Sequence, residues 1–265
     1  MIVVHLLLEL MPLHSPPPTK PFDTSIRDVT LVRGTTTVFD HLTLQLNEAR
    51  IGLIGDNGAG KSSLFRLLCG LDVPQSGSVL VRGCDVRQAN RQRAQSVGML
   101  FQNPEDQIIF PTVEEELAFS LHAMHLPRRA ARVRTHEFLA ARGLEHWAGR
   151  TIGSLSQGQR QHVCWLALLI AAPQVLLLDE PFSSLDLPGR VLLSQEIANA
   201  AQQIILSTHL LDHVRDFARV IWLDKGQVRA DGPGREVCAA YEADVAQRTT
   251  NRILGYCLLY TSRCV

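Results

Sequence analysis

The sequence predicts an α/β fold in which a parallel sheet is joined by an antiparallel β subdomain and a helical insertion. Three observations lead to this prediction. An apolar run at residues 51–54 is followed by a glycine-rich loop and then by apolar residues at helical spacing. Strand-like and helix-like runs alternate again from residue 160 onward. Between these parts, residues 103–160 are rich in alanine, leucine and arginine, which indicates helices.

The two ends of the chain differ from the rest. Residues 1–24 are apolar and contain the proline run 16–18, which would end any helix. They lack a positive amino-terminal region and a small-residue cleavage site, so they make a poor signal peptide. We interpret them as a disordered extension or a misannotated start, and residues 25–245 as the main domain. Residues 246–265 match no earlier pattern, and we interpret them as a non-native tail.

The spacing of apolar residues and the positions of glycine and proline predict the elements between these ends. Alternating apolar residues from 25 to 49, with a turn at Gly34, predict antiparallel strands. The helical subdomain, residues 103–160, should contain two helices broken at Pro127 and Gly143. The remaining segments are predicted as strands 79–81, 97–101, 175–178 and 203–206, helices 160–172, 191–201 and 210–218, and a hairpin formed by 220–223 and 227–229.

Composition narrows the class of protein. The chain has 265 residues, with 26 basic and 26 acidic side chains, so no net field attracts nucleic acid or an anionic membrane. No apolar run reaches the roughly 20 residues needed to span a bilayer. The six cysteines show no C-x-x-C spacing. We therefore expect reduced thiols in a cytosolic protein.

The stretch GDNGAGKSS, residues 55–63, is the strongest functional signal. Backbone N–H groups of such a loop, together with the positive end of the following helix, capture phosphate. Lys61 would reach the β/γ-phosphates, and the Ser62 hydroxyl would complete the shell of a Mg²⁺ ion. The alternative is a glycine-rich turn without a ligand. The placement between strand and helix favours a nucleoside triphosphate site.

Polar residues follow three other predicted strands. Asp179 would hold the metal and Glu180 would polarise an attacking water, although a pair of helix-capping acids is the alternative. Gln102 could orient that water or bind Mg²⁺, and His209 could donate to the γ-phosphate. The alternative for each is a role without chemistry: Gln102 would be a surface glutamine, and His209 a structural histidine at the end of a strand. Residues 155–159, LSQGQ, open another helix and form a second anion-binding terminus, which suggests a nucleotide shared between two chains.

Together these residues resemble the ATP-binding cassette (ABC) ATPases of membrane transporters, over residues 26–241. All six motifs of that family occur in its order. They are the Walker A loop at 55–63, the Q-loop Gln102, the signature 155–159, Walker B at 176–180, the D-loop 184–186 and the switch His209. The resemblance implies the ABC ATPase fold, a P-loop NTPase with a RecA-like core.

The family resemblance also implies the site. Glu180, His209 and Gln102 would be catalytic, and Ser62, Gln102 and Asp179 would hold Mg²⁺. ATP would contact Gly55, Asp56, Asn57, Gly58, Ala59, Gly60, Lys61, Ser62, Ser63, Ser156, Gly158, Gln159 and Asp186. Two cassettes, identical or different, would dimerise head to tail around each ATP, and hydrolysis would drive a membrane partner.

This chain departs from the family at two positions. Gln157 replaces a signature glycine, and Arg33 replaces the aromatic residue that stacks on adenine. We expect a modest effect from Gln157, because Ser156 and Gly158 are kept. A guanidinium can itself lie on a purine face.

Residues 101–119, FQNPEDQIIFPTVEEELAF, are similar to the energy-coupling-factor and cobalt/biotin-type importer ATPases. The resemblance implies a groove for integral membrane subunits, a peripheral position at the cytoplasmic face of the cell membrane, and import of a vitamin such as biotin or of cobalt or nickel. Residues 114–116 would attract basic residues. The apolar floor of the groove would be formed by Ile108, Ile109, Phe110 and Val113.

Other classes remain open. A soluble ABC-type ATPase would act in a non-transport complex, on nucleic acid or ribosomes or in assembly. Such chains usually have two cassettes or a long coiled-coil insertion, and the neutral charge argues against nucleic acid as a partner. A small P-loop kinase would not explain the motif LSQGQ.

Overall fold

Two β-sheets form the framework of the residues that the computed structural model describes, 22–87 and 96–261. The smaller sheet has the order β2-β1-β4-β5 and the larger has the order β10-β9-β3-β8-β7-β6. The strands are β1 (Thr24–Arg33), β2 (Thr36–Leu46), β3 (Arg50–Ile54), β4 (Ser76–Val81), β5 (Cys84–Asp85), β6 (Val97–Leu100), β7 (Val175–Asp179), β8 (Gln203–Ser207), β9 (Arg219–Asp224) and β10 (Gln227–Gly232).

The larger sheet is parallel except for β10, which pairs antiparallel with β9. Every residue of β7 and β8 is buried, which explains their uninterrupted apolar runs. Because the parallel strands run the same way, β3, β6, β7 and β8 all end at one edge of the sheet. The residues that follow these four strands are therefore brought to that edge.

The smaller sheet lies over this core. Strands β1 and β2 form the predicted antiparallel hairpin, turning at Gly34, whose φ is +58°. Ile26 and Leu44 from the hairpin share a hydrophobic cluster with Leu53 of β3 and Leu64 beyond the glycine-rich loop. The β subdomain therefore covers the element on which the predicted phosphate loop is built.

Helices cover the sheets and form the predicted insertion. They are α1 (Lys61–Leu68), α2 (Val113–Ser120), α3 (Arg128–Ala140), α4 (Gln157–Ala171), α5 (Leu187–Asn199) and α6 (Gly234–Thr261). Helices α2, α3 and α4 enclose a hydrophobic cluster of their own, which includes Val113, Leu139 and Leu166. The predicted breaks are confirmed, because α3 starts directly after Pro127 and Gly143 follows it with φ +67°.

The helix predicted at 210–218 is wrong. Only a 3-10 turn at Leu211–His213 forms there. The Thr208 side chain accepts a hydrogen bond from the Leu210 N–H, and the Phe217 carbonyl accepts one from Gly234. These bonds tie the two ends of the segment to Thr208 and Gly234, and so short a segment has little helical stability alone.

The predicted boundary at residue 246 is not a structural break. Helix α6 runs through it without interruption, from Gly234 to Thr261. The predicted extension at 1–24 lies almost wholly outside the described residues.

Candidate functional site

The loop between β3 and α1 follows a path that only glycine allows. Gly55 has φ +143°, and a Cβ atom there would meet the Leu223 carbonyl oxygen at 2.1 Å. Gly60, with φ +108°, comes directly before α1, and its Cβ would approach the Phe39 ring at 3.0 Å. The loop is thus pressed between β9 and the β subdomain, with Asn57 and Gly58 exposed at its tip.

Lys61 is buried within this loop. Its Nζ donates to the carbonyl oxygens of Gly55, at 2.7 Å, and Asp56, at 3.0 Å. Burial lowers the pKa of Lys61, while the nearby carboxylates of Glu180 and Asp179 act to raise it. The loop therefore holds the Lys61 ammonium group by hydrogen bonds to neutral carbonyl oxygens. The positive charge of Lys61 is available to bind an anionic ligand.

Ser62, the second residue of α1, meets the end of β7. Its Oγ donates to Asp179 Oδ2 at 2.8 Å. A hydroxyl and a carboxylate at this separation are the hard oxygen ligands that Mg²⁺ prefers, so the residues fit the predicted ion. Within the described ranges no group of three or more His, Cys, Asp or Glu residues forms a metal cluster.

Glu180 follows Asp179 and is held in a strained backbone conformation. Its φ is +49°, a left-handed value that is unfavourable for a residue with a side chain. Its N–H donates to the Ser207 carbonyl oxygen, and its Oε2 accepts from the His209 N–H at 3.2 Å. His209 Nε2 also lies 3.4 Å from Glu180 Oε1. The buried carboxylate is thus aimed at the strand edge.

The environment of Glu180 suits proton transfer. Burial raises the pKa of Glu180, and His209 and Lys61 oppose that rise. An acid with a raised pKa is a stronger base than an exposed carboxylate. The histidine side chain itself is 46% exposed, so it borders both the carboxylate and solvent.

Gln102 follows β6, which ends at the same edge, and it makes no hydrogen bond with these groups. It lies two residues beyond β6, next to Phe101, whose N–H donates to Gln107 Oε1 at 3.1 Å. The Gln102 side chain is exposed. The structure thus brings Lys61, Ser62, Asp179, Glu180 and His209 together and leaves Gln102 at their margin.

The predicted second anion site is a capped helix terminus. Helix α4 begins at Gln157, before the predicted start at residue 160. Ser156 is its N-cap, with the Oγ accepting from the Gln159 N–H and Gln159 Oε1 accepting from the Ser156 N–H. Gly158 lies in the first turn of α4, at the positive end of the helix dipole.

Ser156 and Gly158 line a cleft of about 560 Å³ that also includes Asp186. Asp186 caps α5 by accepting a hydrogen bond from the Gly189 N–H at 3.0 Å. None of residues 55–63 lines this cleft. Within one chain, the two predicted phosphate-binding elements are therefore separate.

Comparison with known proteins identifies the family. The family model described as ABC transporter matches residues 39–183. The biotin transport ATP-binding protein BioM of Rhodobacter capsulatus is 48% identical over 82% of this chain and 93% of its own length. This chain belongs to the ABC transporter family.

Further relatives refine the type of ABC protein. The energy-coupling factor transporter ATP-binding protein of Methanoculleus marisnigri is 39% identical over 72% of this chain and 71% of its own. The solved structure of cbiO1 from Clostridium perfringens, part of the ABC transporter complex cbiONQ, matches with a TM-score of 0.72 and 26% identity. The match covers 88% of this chain and 96% of the cbiO1 chain. The predictions of an ABC ATPase fold, an ATPase activity and the energy-coupling-factor type are confirmed.

In this ABC ATPase two acidic residues of segment 101–119 do not form the predicted docking surface. Glu116 is buried, and its Oε2 accepts from the N–H groups of Ile109 and Phe110, both at 2.9 Å. Glu114 pairs with Arg132 and His136. The expectation that residues 114–116 attract basic partners is therefore wrong for these two acids, because both serve internal contacts.

The apolar floor also needs correction. Val113 is fully buried in the insertion's own core, whereas Ile109 is 70% exposed. A separate groove of about 310 Å³ is lined by the apolar residues Phe110, Ala118, Phe119 and Ala131 and by the polar residues Glu114, Glu115, His122, Arg128 and Arg132. This groove, rather than Val113, offers apolar surface to another molecule.

Arg33, which takes the place of the family's aromatic residue, is paired. Its guanidinium contacts Asp72, which also accepts from Arg66 Nη2 at 3.0 Å. In this ABC ATPase the Arg33 guanidinium is therefore held in an ion pair with Asp72. Contact with a nucleotide base stays a prediction.

Two residues of α6 at the ATPase site were missed by sequence reasoning. Tyr241 and Arg248 both donate hydrogen bonds to the Asp56 carboxylate. The helical spacing of Asp244 and Arg248 was the available signal, because an acid four residues before a base forms a helical ion pair. That spacing indicates a helix that continues through residue 248, but it gives no sign of the contact with Asp56.

No helix in the described part of the ABC ATPase combines the length and apolar character needed to cross a bilayer.

Proposed function

We propose that this ABC ATPase is the motor subunit of an energy-coupling-factor importer, in which two ATPase subunits close on shared ATP. The observation on which this proposal depends is the assembly of Lys61, Ser62, Asp179, Glu180 and His209 at one sheet edge, apart from the signature cleft. A second subunit would bring its signature to this loop.

Gly158 supports the shared site. A Cβ atom there would meet the Ser184 carbonyl oxygen at 3.5 Å, an ordinary contact. The chain itself therefore does not require glycine at this position. A side chain would instead obstruct whatever approaches the outer face of the signature.

The dimer is tested with the variant Glu180→Gln, which we expect to bind ATP without hydrolysing it. We expect MgATP to convert it from monomer to dimer in analytical ultracentrifugation. Adding Gly158→Asp should abolish dimerisation while leaving the melting temperature and the ATP affinity of the monomer unchanged. A Gly158→Asp variant that dimerises normally would contradict the shared site.

In the proposed reaction, Glu180 Oε accepts a proton from water as the water oxygen attacks the γ-phosphorus and the bond to the bridging oxygen breaks. Lys61 and the loop N–H groups bind the β- and γ-phosphates. His209 donates to the γ-phosphate and holds the Glu180 carboxylate in place. Residues Gly55 to Ser63 of one subunit and Ser156, Gly158, Gln159 and Asp186 of the other would surround the nucleotide.

A Mg²⁺ ion held by Ser62 and Asp179, with Gln102 at the margin, would neutralise charge on the phosphates. We expect hydrolysis to require it.

The partner would be an integral membrane subunit, placing the ATPase at the cytoplasmic face of the membrane. The groove of Phe110, Ala118 and Phe119 would receive an amphipathic helix of that subunit. Purification of the tagged chain from a native membrane extract should recover integral membrane proteins. Recovery of soluble partners alone would favour a non-transport complex.

We further propose biotin as the imported substrate, because the 48% identical relative is named a biotin transport protein. Nickel is the second candidate, since a nickel import ATP-binding protein of Rhodobacter capsulatus is 40% identical over 75% of this chain and 83% of its own length. Deletion of the gene should abolish uptake of radiolabelled biotin by cells and leave nickel uptake intact. Loss of nickel uptake with biotin uptake intact would instead assign nickel as the imported substrate.

A further inference from the structure

Asp56 is an unexpected residue for the loop in which it lies. It immediately follows Gly55, in a loop that we assign to the binding of a triphosphate. A free carboxylate at this place would repel the phosphates. Its charge must therefore be compensated if the loop is to bind anions well.

Helix α6 supplies that compensation. Tyr241 Oη donates to Asp56 Oδ1 at 2.7 Å, and Arg248 Nη1 donates to Oδ2 at 2.6 Å. Arg248 Nη2 also lies 3.4 Å from Oδ1. Both carboxylate oxygens are engaged by donors that lie 185 and 192 residues further along the chain.

The two donors are themselves fixed. The Tyr241 ring packs edge-on against Trp222 of β9, with centroids 5.2 Å apart, and Trp222 pairs with Ile54 next to the loop. Arg248 Nε donates to Asp244 Oδ2 at 2.6 Å. Asp244 also accepts from Arg229, whose guanidinium lies 4.5 Å from the Trp222 ring centre.

The protonation states agree with these roles. The hydrogen bond from Arg248, followed by that from Tyr241, lowers the pKa of Asp56. Burial, with the Asp56 bond, raises the pKa of Tyr241 to about 12. At neutral pH the Asp56 carboxylate is ionised and the Tyr241 phenol keeps its proton. Tyr241 and Arg248 are therefore the hydrogen-bond donors, and Asp56 is the acceptor.

The position of Asp56 also matters for Lys61. The Asp56 carbonyl oxygen accepts from Lys61 Nζ at 3.0 Å. A change in the Asp56 backbone would therefore move a partner of the cation that the loop offers to ATP.

We propose that helix α6 positions the phosphate loop for ATP through Tyr241 and Arg248, which fix and neutralise the Asp56 carboxylate. These are positioning residues, since they act on the nucleotide through Asp56. The inference rests on the proposed binding of ATP by residues 55–63. It assigns a structural and electrostatic role to a helix that lies outside all six sequence motifs.

The test measures the Kd of the full-length chain for a fluorescent ATP analogue in the presence of Mg²⁺, with the KM of ATPase turnover alongside. Arg248→Gln should weaken binding about three- to fivefold at low salt, as expected for a partly exposed ion pair, and less at high salt. Tyr241→Phe, which keeps the ring against Trp222, should weaken it by a smaller factor. In both variants KM should rise more than kcat falls.

The matched control is Arg235→Gln. Arg235 lies on the same helix and pairs with the exposed Asp216, far along the sequence from the loop. This variant should leave Kd unchanged. The double variant Asp56→Asn/Arg248→Gln should bind more tightly than Arg248→Gln alone, because it removes the uncompensated carboxylate.

An unchanged Kd in Arg248→Gln, an equal loss in Arg235→Gln, or no recovery in the double variant would overturn the proposal. If the unaltered chain failed to bind the analogue, the assignment of the phosphate loop would itself be wrong. The two failures are therefore distinguishable.

Discussion

Ser62 Oγ donates a 2.8 Å hydrogen bond to Asp179 Oδ2, joining two residues that are 117 positions apart. Ser62 lies in the first turn of α1 and Asp179 ends β7. The bond brings the glycine-rich loop and the buried acids to the same place. It also sets the two oxygen atoms at a spacing that one divalent cation can bridge.

The first prediction follows from that bond. Asp179→Asn should weaken binding of the ATP analogue in the presence of Mg²⁺, because an amide is a poorer ligand for a hard cation than a carboxylate. Binding in EDTA should change much less. Asp85→Asn, which changes a partly buried acid paired with Arg87 outside the loop, serves as the control. Equal loss of affinity with and without Mg²⁺ would argue against a metal role for Asp179.

The second prediction concerns Glu180. Glu180→Gln should reduce ATP turnover by about 10²- to 10⁴-fold, the usual contribution of a general base. Nucleotide affinity should persist, because binding depends on Lys61 and the loop. Steady-state ATPase assays and fluorescence titration measure the two effects separately. Normal turnover in the variant would exclude Glu180 as the base.

The third prediction separates docking from stability in the helical insertion. Glu116→Ala leaves the N–H groups of Ile109 and Phe110 without their acceptor. It should lower the free energy of unfolding by about 2 kcal/mol, measured in urea. Glu115→Lys changes an exposed charge at the groove and should mainly reduce co-purification of membrane subunits.

Glu137→Lys is the control for that prediction. Glu137 is exposed on α3 and does not line the groove, so the variant should retain the membrane subunits. Equal loss in Glu137→Lys and Glu115→Lys would show a general charge effect and would count against docking at this groove.

The fourth prediction concerns pH. Burial, with a contribution from Arg142, lowers the pKa of His162 below 6.5. The folded chain therefore keeps this histidine neutral where the unfolded chain protonates it. Its contribution to stability is complete above pH 6.5 and is lost as the pH falls below that value.

Melting temperatures at pH 7.5 and 6.0 test this sign. The fall on acidification should be smaller in His162→Gln than in the unaltered chain. The exposed His146 supplies the control, since His146→Gln makes the same substitution outside this buried environment. An identical fall in all three proteins would contradict the prediction.

Periodicity predicted the elements whose environment is simple. The buried runs of β7 and β8 and the strand–loop–helix unit around Gly55 are visible because one local pattern fixes each of them. The segment 210–218 was misjudged because the stability of so short a helix depends on tertiary packing, which the local pattern does not show. Glu116 was misjudged because its acceptor role depends on how the chain folds back from Ile109.

By itself, the sequence determined the family, the order of its motifs and the ATP chemistry, because anion binding by a glycine loop and a helix terminus is a local property of a few adjacent residues. The tertiary structure alone decided which side chains meet. It joined Ser62 to Asp179, buried Glu116 and attached α6 to Asp56. These contacts link residues far apart in the chain, and their strength depends on burial and distance, which no sequence spacing specifies.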